Sequence, residues 1–182
     1  MKYLIISDIH GSLSCTNDAL TAFNEHQCDY IIVLGDILYH GPRNPLPIDH
    51  DPKGVADALN EYASKIICVG GNCEAPVDQM MLNFPCLSEY SLIVDDGVRI
   101  FATHGHIYNP ENLPKLDGID IFLYGHTHLY EIENHNDTII CNPGSITLPK
   151  QERPRTYAVY ENRTLTIYDF EHHPLRSLHK EA

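Results

Sequence analysis

Two imidazoles, His126 and His128, stand in Gly125-His126-Thr127-His128, directly after the apolar run Ile121-Phe122-Leu123-Tyr124. A histidine pair on a tight turn leaving a buried strand suits metal coordination better than core packing, because neutral imidazole is the commonest metal ligand. The arrangement recurs. Tyr3–Ile6 runs into Asp8 and His10, and Tyr30–Leu34 into Gly35 and Asp36. Lys65–Val69 runs into Gly70, Gly71 and Asn72, and Arg99–Ala102 into His104 and His106. Each time an apolar run ends in a carboxylate, an imidazole or a carboxamide. Asp8 and His10 are two apart, so in an extended segment they point to one side. Taken singly, each of these is an ordinary polar loop residue; their repetition at strand ends is not ordinary. Imidazole, carboxylate and amide oxygen without thiolate favour Mn, Fe, Zn, Co or Ni over Ca or Mg. Asp8, His10, Asp36, Asn72, His104, His126 and His128 are too many for one tetrahedral zinc and suit two ions sharing a carboxylate.

The positioning elements are strands. Residues 3–7, 30–34, 65–69, 99–103 and 119–124 are short, β-branched and nearly continuous in apolarity, as strands buried on both faces are. Helical spacing of Ala19, Leu20 and Phe23 predicts a helix over 14–27, with Ser12 and Ser14 as capping candidates. Val55, Ala58, Leu59 and Tyr62 predict another over 54–63. This opening argues for an α/β architecture, whose ligands collect beyond the carboxyl ends of the strands. Three hairpins follow: Ser91–Val94 with Val98–Ala102, Glu131–Glu133 with Thr138–Cys141, and Tyr157–Tyr160 with Thr164–Asp169. They predict a second, more antiparallel sheet packed on the first, with helices outside. Residues 41–53 are too proline-rich for regular structure, and so long a loop in a compact domain is more often functional than idle. After Phe170 no periodicity remains. The chain reads as one domain over 1–182, less ordered from about 171, with His172, His173 and His179 solvated.

Twelve basic against 25 acidic residues give a formal charge of −13, which repels long nucleic acid and anionic membrane. No segment approaches a membrane span. The first apolar run is too short for a signal peptide and ends in Ser7-Asp8-Ile9-His10, so a cytoplasmic protein is expected. The cysteines at 15, 28, 68, 73, 86 and 141 form no closely spaced pair, so reduced, mostly buried thiols are expected rather than a thiolate zinc site or disulfides. The sequons at Asn136 and Asn162 are then chance.

In this order the motifs resemble the calcineurin-like metallophosphoesterase superfamily. Gly41-Pro42-Arg43-Asn44, Gly71-Asn72-Cys73-Glu74, Thr103-His104-Gly105-His106, Gly125-His126-Thr127-His128 and Asn142-Pro143-Gly144-Ser145 resemble its YfcE-type bacterial phosphodiesterases. The resemblance runs from about Lys2 to Lys150. It implies an α/β fold in which a two-sheet β-sandwich is flanked by helices, and a dinuclear site. By position, Asp8, His10 and His128 would take one ion, Asn72, His104 and His126 the other, and Asp36 would bridge them. Mn is the first candidate, with Zn, Fe, Ni or Co as alternatives. A homodimer is also compatible with the family.

Two ions about 3.5–4 Å apart clamp a phosphoryl group, and a hydroxide bridging them is a nucleophile near neutral pH. The expected activity is hydrolysis of small phosphate diesters. Neither a nucleophile elbow nor a P-loop is present. Cys73 stands where most members carry a histidine that assists the leaving group. A thiol is a weak hydrogen-bond donor, so diesters with good leaving groups such as aryl esters should react best; simple space-filling is the other reading. Arg43, in the loop after Asp36, is the candidate phosphate contact, or else a solvated loop side chain. His106 is a candidate for supporting a ligand by hydrogen bonding, His40 reads as a surface residue, and 142–145 as a structural turn. The competing functions are a non-catalytic scaffold of the same fold and a phosphomonoesterase. The full set of donors counts against the first, and the missing histidine and small size against the second.

Overall fold

The computed structural model describes residues 1–181. Strands β1 (Lys2–Ile6), β2 (Tyr30–Val33) and β3 (Ile66–Cys68) pair in parallel. Helix α1 (Leu13–Glu25) connects the first two and α2 (Pro52–Asn60) the next. Ser12 caps α1 by accepting from the Cys15 N–H, and Asp51 caps α2 by accepting from the Gly54 N–H at 2.9 Å. Proline suits the first helical position, so α2 starts two residues earlier than the apolar spacing indicated. A short helix α3 (Pro76–Met81), absent from the sequence reading, follows β3. Its six residues are too few for a periodic signal.

The second half supplies β4 (Tyr90–Asp95), β5 (Val98–Thr103), β6 (Ile121–Leu123), β7 (Glu131–His135), β8 (Thr138–Asn142), β9 (Thr156–Glu161), β10 (Thr164–Asp169) and β11 (Pro174–His179). Two sheets result, in the orders β11-β10-β9-β1-β2-β3 and β4-β5-β6-β8-β7. They stack as a sandwich. Alternation along β1 sends Tyr3 and Ile5 into the core between the sheets, and Leu4 and Ile6 into the core beneath the helices. Burying an isoleucine or leucine fully stabilises by roughly 1.5–3 kcal/mol, so a strand buried on both faces anchors both layers. No described helix is long and apolar enough to cross a membrane.

Two expectations are corrected here. The third hairpin, β9–β10, joins the first sheet: β9 pairs antiparallel with β1, Leu4 opposite Val159. The second sheet is correspondingly mixed, because β5, β6 and β8 run parallel. Local hairpin signals say which strands pair with each other, not which distant strand they join. The segment from about 171, expected to be less ordered, carries β11. It pairs antiparallel with β10, Leu165 opposite Leu178, and the Thr166 and Ser177 hydroxyls meet at 2.9 Å. An edge strand with one half-buried stripe, Leu175 and Leu178, leaves little apolar pattern to read.

Candidate metal centre

Parallel pairing aligns the carboxyl ends of β1, β2 and β3 at one end of their sheet, and of β5, β6 and β8 in the other. The donors leave those ends on sharply turned backbone. Asp8, His10, Asp36, His126 and His128 all have φ between 51° and 67°. Side chains rarely adopt this left-handed region, and it recurs where a site is held in a constrained geometry. The turns are laced together: His10 N–H donates to Asp36 O at 2.9 Å and Gly125 N–H to His104 O at 2.7 Å. Asn142 Nδ2 donates to Gly125 O and Ser145 Oγ to Asp8 O, each at 2.8 Å, so the 142–145 turn ties the two sheets' donor loops together.

The structure brings all seven candidate donors together. The ligating atoms of Asp8, His10 and His128 lie within 4.8 Å of one another, as do those of Asp8, Asp36 and His104. Asn72 Oδ1 and His126 Nδ1 are each 3.2 Å from His104 Nε2. Three rings are oriented by backbone carbonyls. His10 Nδ1 binds Tyr39 O at 2.9 Å, His104 Nδ1 binds Leu34 O at 2.7 Å, and His128 Nδ1 binds Leu148 O at 2.6 Å. A carbonyl only accepts, so each Nδ1 carries the proton and each Nε2 a lone pair in the neutral ring. The Nε2 atoms of His10 and His128 are 3.2 Å apart. Two lone pairs so close repel unless a proton or a cation joins them.

Carboxylate geometry points the same way. Asp8 Oδ2 accepts from Ser7 Oγ at 2.7 Å and His126 N–H at 3.0 Å. Its other oxygen, Oδ1, is buried without a hydrogen-bond partner among the described residues and lies 3.3 Å from His128 Nε2. An orphaned buried carboxylate oxygen is costly, and a cation would satisfy it together with the facing lone pairs. The donor set therefore fits divalent metal. Burial alone would raise Asp8, but His128, His104 and His10 outweigh it and hold the carboxyl well below the ordinary range. Burial lowers His10 and His126, favouring the neutral, ligating ring, whereas Asp8 outweighs burial at His128 and raises it.

Glu74 had no assigned role in the sequence. Its carboxylate accepts the N–H groups of Asp36 (2.9 Å), Ile37 (2.7 Å) and Gly71, clamping the Asp36 turn to the Asn72 turn. Burial pushes it up to about 7 against the pull of those donors. Only the three-dimensional contact reveals this role; locally Glu74 is one more loop carboxylate.

A cavity of about 690 Å³ opens over the donors, lined by Asp36, Asn72, His126 and His128 and by Tyr39, Arg43, Cys73, Thr127 and Lys150. Arg43 and Cys73 thus reach the site; Lys150 had no local signal. Cys73 N–H donates to Asp36 Oδ1 at 2.9 Å, and burial, then Asp36, pushes its thiol far above its ordinary range. His106 makes no hydrogen bond to a donor among the described residues; its ring centroid lies 5.3 Å from that of His104. His40, read as a surface residue, is half-buried instead, with its ring edge-on to Tyr39 and His50. All six cysteines are free thiols.

Residues 1–164 match the model of the calcineurin-like phosphoesterase superfamily domain. The chain is 44% identical over 167 residues to the phosphodiesterase YfcE of Escherichia coli (strain K12), covering 92% of this chain and 91% of that protein. A solved structure of the E. coli YfcE phosphoesterase superposes with a TM-score of 0.96 at 40% identity, covering both chains fully. Chaetomium thermophilum Vps29 shares the fold at a TM-score of 0.68 and 16% identity, also with full coverage of both chains. Strand ends, turn geometry and donor set thus agree with the family-wide match, and the chain belongs to the calcineurin-like phosphoesterase superfamily.

Proposed function

We propose that this protein is a metal-dependent phosphodiesterase acting on small phosphate diesters. The observation that carries the proposal is the convergence of Asp8 Oδ1, which has no hydrogen-bond partner among the described residues, with imidazole lone pairs fixed by carbonyls. The relative in E. coli named a phosphodiesterase supports the choice of ester. Asp8, His10 and His128 would hold one ion and Asn72, His104 and His126 the other, with Asp36 shared. Mn is the first candidate, and Zn, Fe, Ni and Co suit the same donors. Bound in this way, a pair of divalent ions supplies Lewis-acid polarisation of phosphoryl oxygens and a water of lowered pKa.

The chain's own residues do the rest. Tyr39 O, Leu34 O and Leu148 O keep the protons of His10, His104 and His128 on Nδ1, so Nε2 stays free to ligate. Ser7 Oγ and the His126 N–H hold Asp8 Oδ2 and turn Oδ1 inward. Glu74 keeps the Asp36 and Asn72 turns in register. Arg43 offers a planar fork to phosphate oxygens. Cys73, a weak donor whose proton is held tightly by burial, gives little help to a departing alkoxide. Diesters with aryl or other stable leaving groups are therefore the favoured substrates. The cavity has the size of a small-molecule site, and a charge of −13 disfavours long nucleic acid. Free, mostly buried thiols suit a reducing cytoplasm.

The test is hydrolysis of bis(4-nitrophenyl) phosphate and 4-nitrophenyl phosphate by stripped protein with and without Mn²⁺. Mn²⁺-stimulated turnover of the diester, with little of the monoester, is expected. Metal binding without turnover of either ester would favour the scaffold reading, and turnover confined to the monoester a phosphomonoesterase.

A further inference from the structure

The cavity over the donors holds more positive charge than a simple diester requires. Among the described residues two cations line it, Arg43 and Lys150, and one carboxylate, Asp36, which faces the donor cluster. Among the described residues neither cation joins an ion pair, although acids outnumber bases 25 to 12 in the chain. They belong to different loops. Arg43 belongs to the loop that leans on Cys73, where a Cβ added to Gly41 would touch the Cys73 sulfur. Lys150 is rooted beside His128. Its N–H donates to His128 O at 3.3 Å, and Leu148, two residues earlier, orients the His128 ring.

On the phosphodiesterase reading, the carboxylates of Asp8 and Asp36, the hydroxide nucleophile and the single negative charge of a diester together balance two divalent ions. Arg43 already takes the site past that balance. Lys150, exposed at the edge of the cavity, keeps its ammonium free to pair with a second anion on the substrate. We infer that Lys150 forms a second anion subsite, and that the preferred substrates are diesters carrying an additional carboxylate or phosphate on one ester substituent. This inference rests on the phosphodiesterase reading for the scissile group, but not for the subsite itself. The cavity volume accommodates a diester with such a substituent.

Bis(4-nitrophenyl) phosphate and 4-carboxyphenyl 4-nitrophenyl phosphate share shape and leaving group and differ by one negative charge. The carboxylate-bearing ester should show a KM lower by about two- to fivefold, the range of a solvent-exposed ion pair. The ratio should shrink at about 0.5 M salt and fall to about one in Lys150→Met. Titration calorimetry of the metal-loaded protein with the two products, 4-carboxyphenyl phosphate and 4-nitrophenyl phosphate, reads the same preference without turnover. A wild-type ratio near one in both measurements overturns the subsite. So does a preference that survives Lys150→Met, or one abolished by Arg43→Met alone. Calorimetric preference without hydrolysis of either diester would count against the phosphodiesterase reading and leave the subsite standing.

Discussion

Gly125→Ala probes the closest approach in the site. A methyl group at this position would overlap Ser7 Oγ and press on Asp8 Oδ2. Gly125 is not among the residues of positive φ, so alanine adds no backbone strain and the substitution isolates packing. Ser7 Oγ would have to leave its 2.7 Å hydrogen bond, so that Asp8 Oδ2 keeps only the His126 N–H. Overpacking of a dense interior costs about 1–3 kcal/mol, and a hydrogen bond to a charged group contributes about 1.5–3 kcal/mol. With partial relaxation, a loss of roughly 2–5 kcal/mol is expected, lowering Tm by roughly 5–15 °C for a domain of this size. Mn²⁺ affinity should fall about 10- to 100-fold, as when a partner that orients a ligand is removed. Ser7→Gly deletes the obstructing atoms. The double variant should therefore be less destabilised than the sum of the singles, by about 1–3 kcal/mol of coupling. Thermal denaturation and Mn²⁺ titration calorimetry on the four proteins measure both quantities. A Gly125→Ala protein within about 0.5 kcal/mol of wild type with unchanged Mn²⁺ affinity, or strictly additive effects, would refute the reasoning.

Cys73→His should raise kcat most on diesters with poor leaving groups, because imidazolium is a better proton donor than a buried thiol; a uniform change across a leaving-group series contradicts that role. Glu74 is pushed up to about 7 by burial, so the folded metal-free protein holds an extra proton between the ordinary carboxyl value and about pH 7. Its contribution to stability is then lost as pH rises through that window, whereas that of Asp8, held low, is lost as pH falls below the ordinary carboxylate range. Glu74→Gln should flatten the slope of unfolding free energy between about pH 5 and 7 in denaturant titrations, and an unchanged slope would exclude Glu74 as its source. Stripping metal should lower Tm reversibly, since ligand at a thousand times its Kd stabilises by about 4 kcal/mol; a melting curve indifferent to chelator and to added Mn²⁺ would argue against a built site.

The strands that carry the donors were legible because their signal is local. Tyr3–Ile6, Tyr30–Val33 and Ile121–Leu123 are buried on both faces and read as continuous apolar runs, and each is followed by a metal-competent residue. Parallel pairing then turns a sequence pattern into a spatial one. Long-range choices were not legible. The β9–β10 hairpin pairs with β1 because a buried strand needs a partner on each side, and nothing in residues 156–169 names that partner. Strand β11 shows only Leu175 and Leu178 to the core, too sparse a pattern to register. Glu74 and Lys150 escaped for the same reason: a clamp on three backbone N–H groups and an ammonium beside a cavity are properties of the assembled loops. Arg43 is legible from its place in the loop after Asp36 and Cys73 from standing where the family pattern has a histidine, and the fold brings both to the cavity.

Anomalous diffraction at the manganese edge from crystals grown with excess Mn²⁺ tests the metal centre most directly. Two peaks are expected, one bonded by Asp8, His10 and His128, the other by Asn72, His104 and His126, with Asp36 reaching both. A single peak, or an Asp36 carboxylate that contacts no ion, would contradict a two-ion centre built from these strand ends.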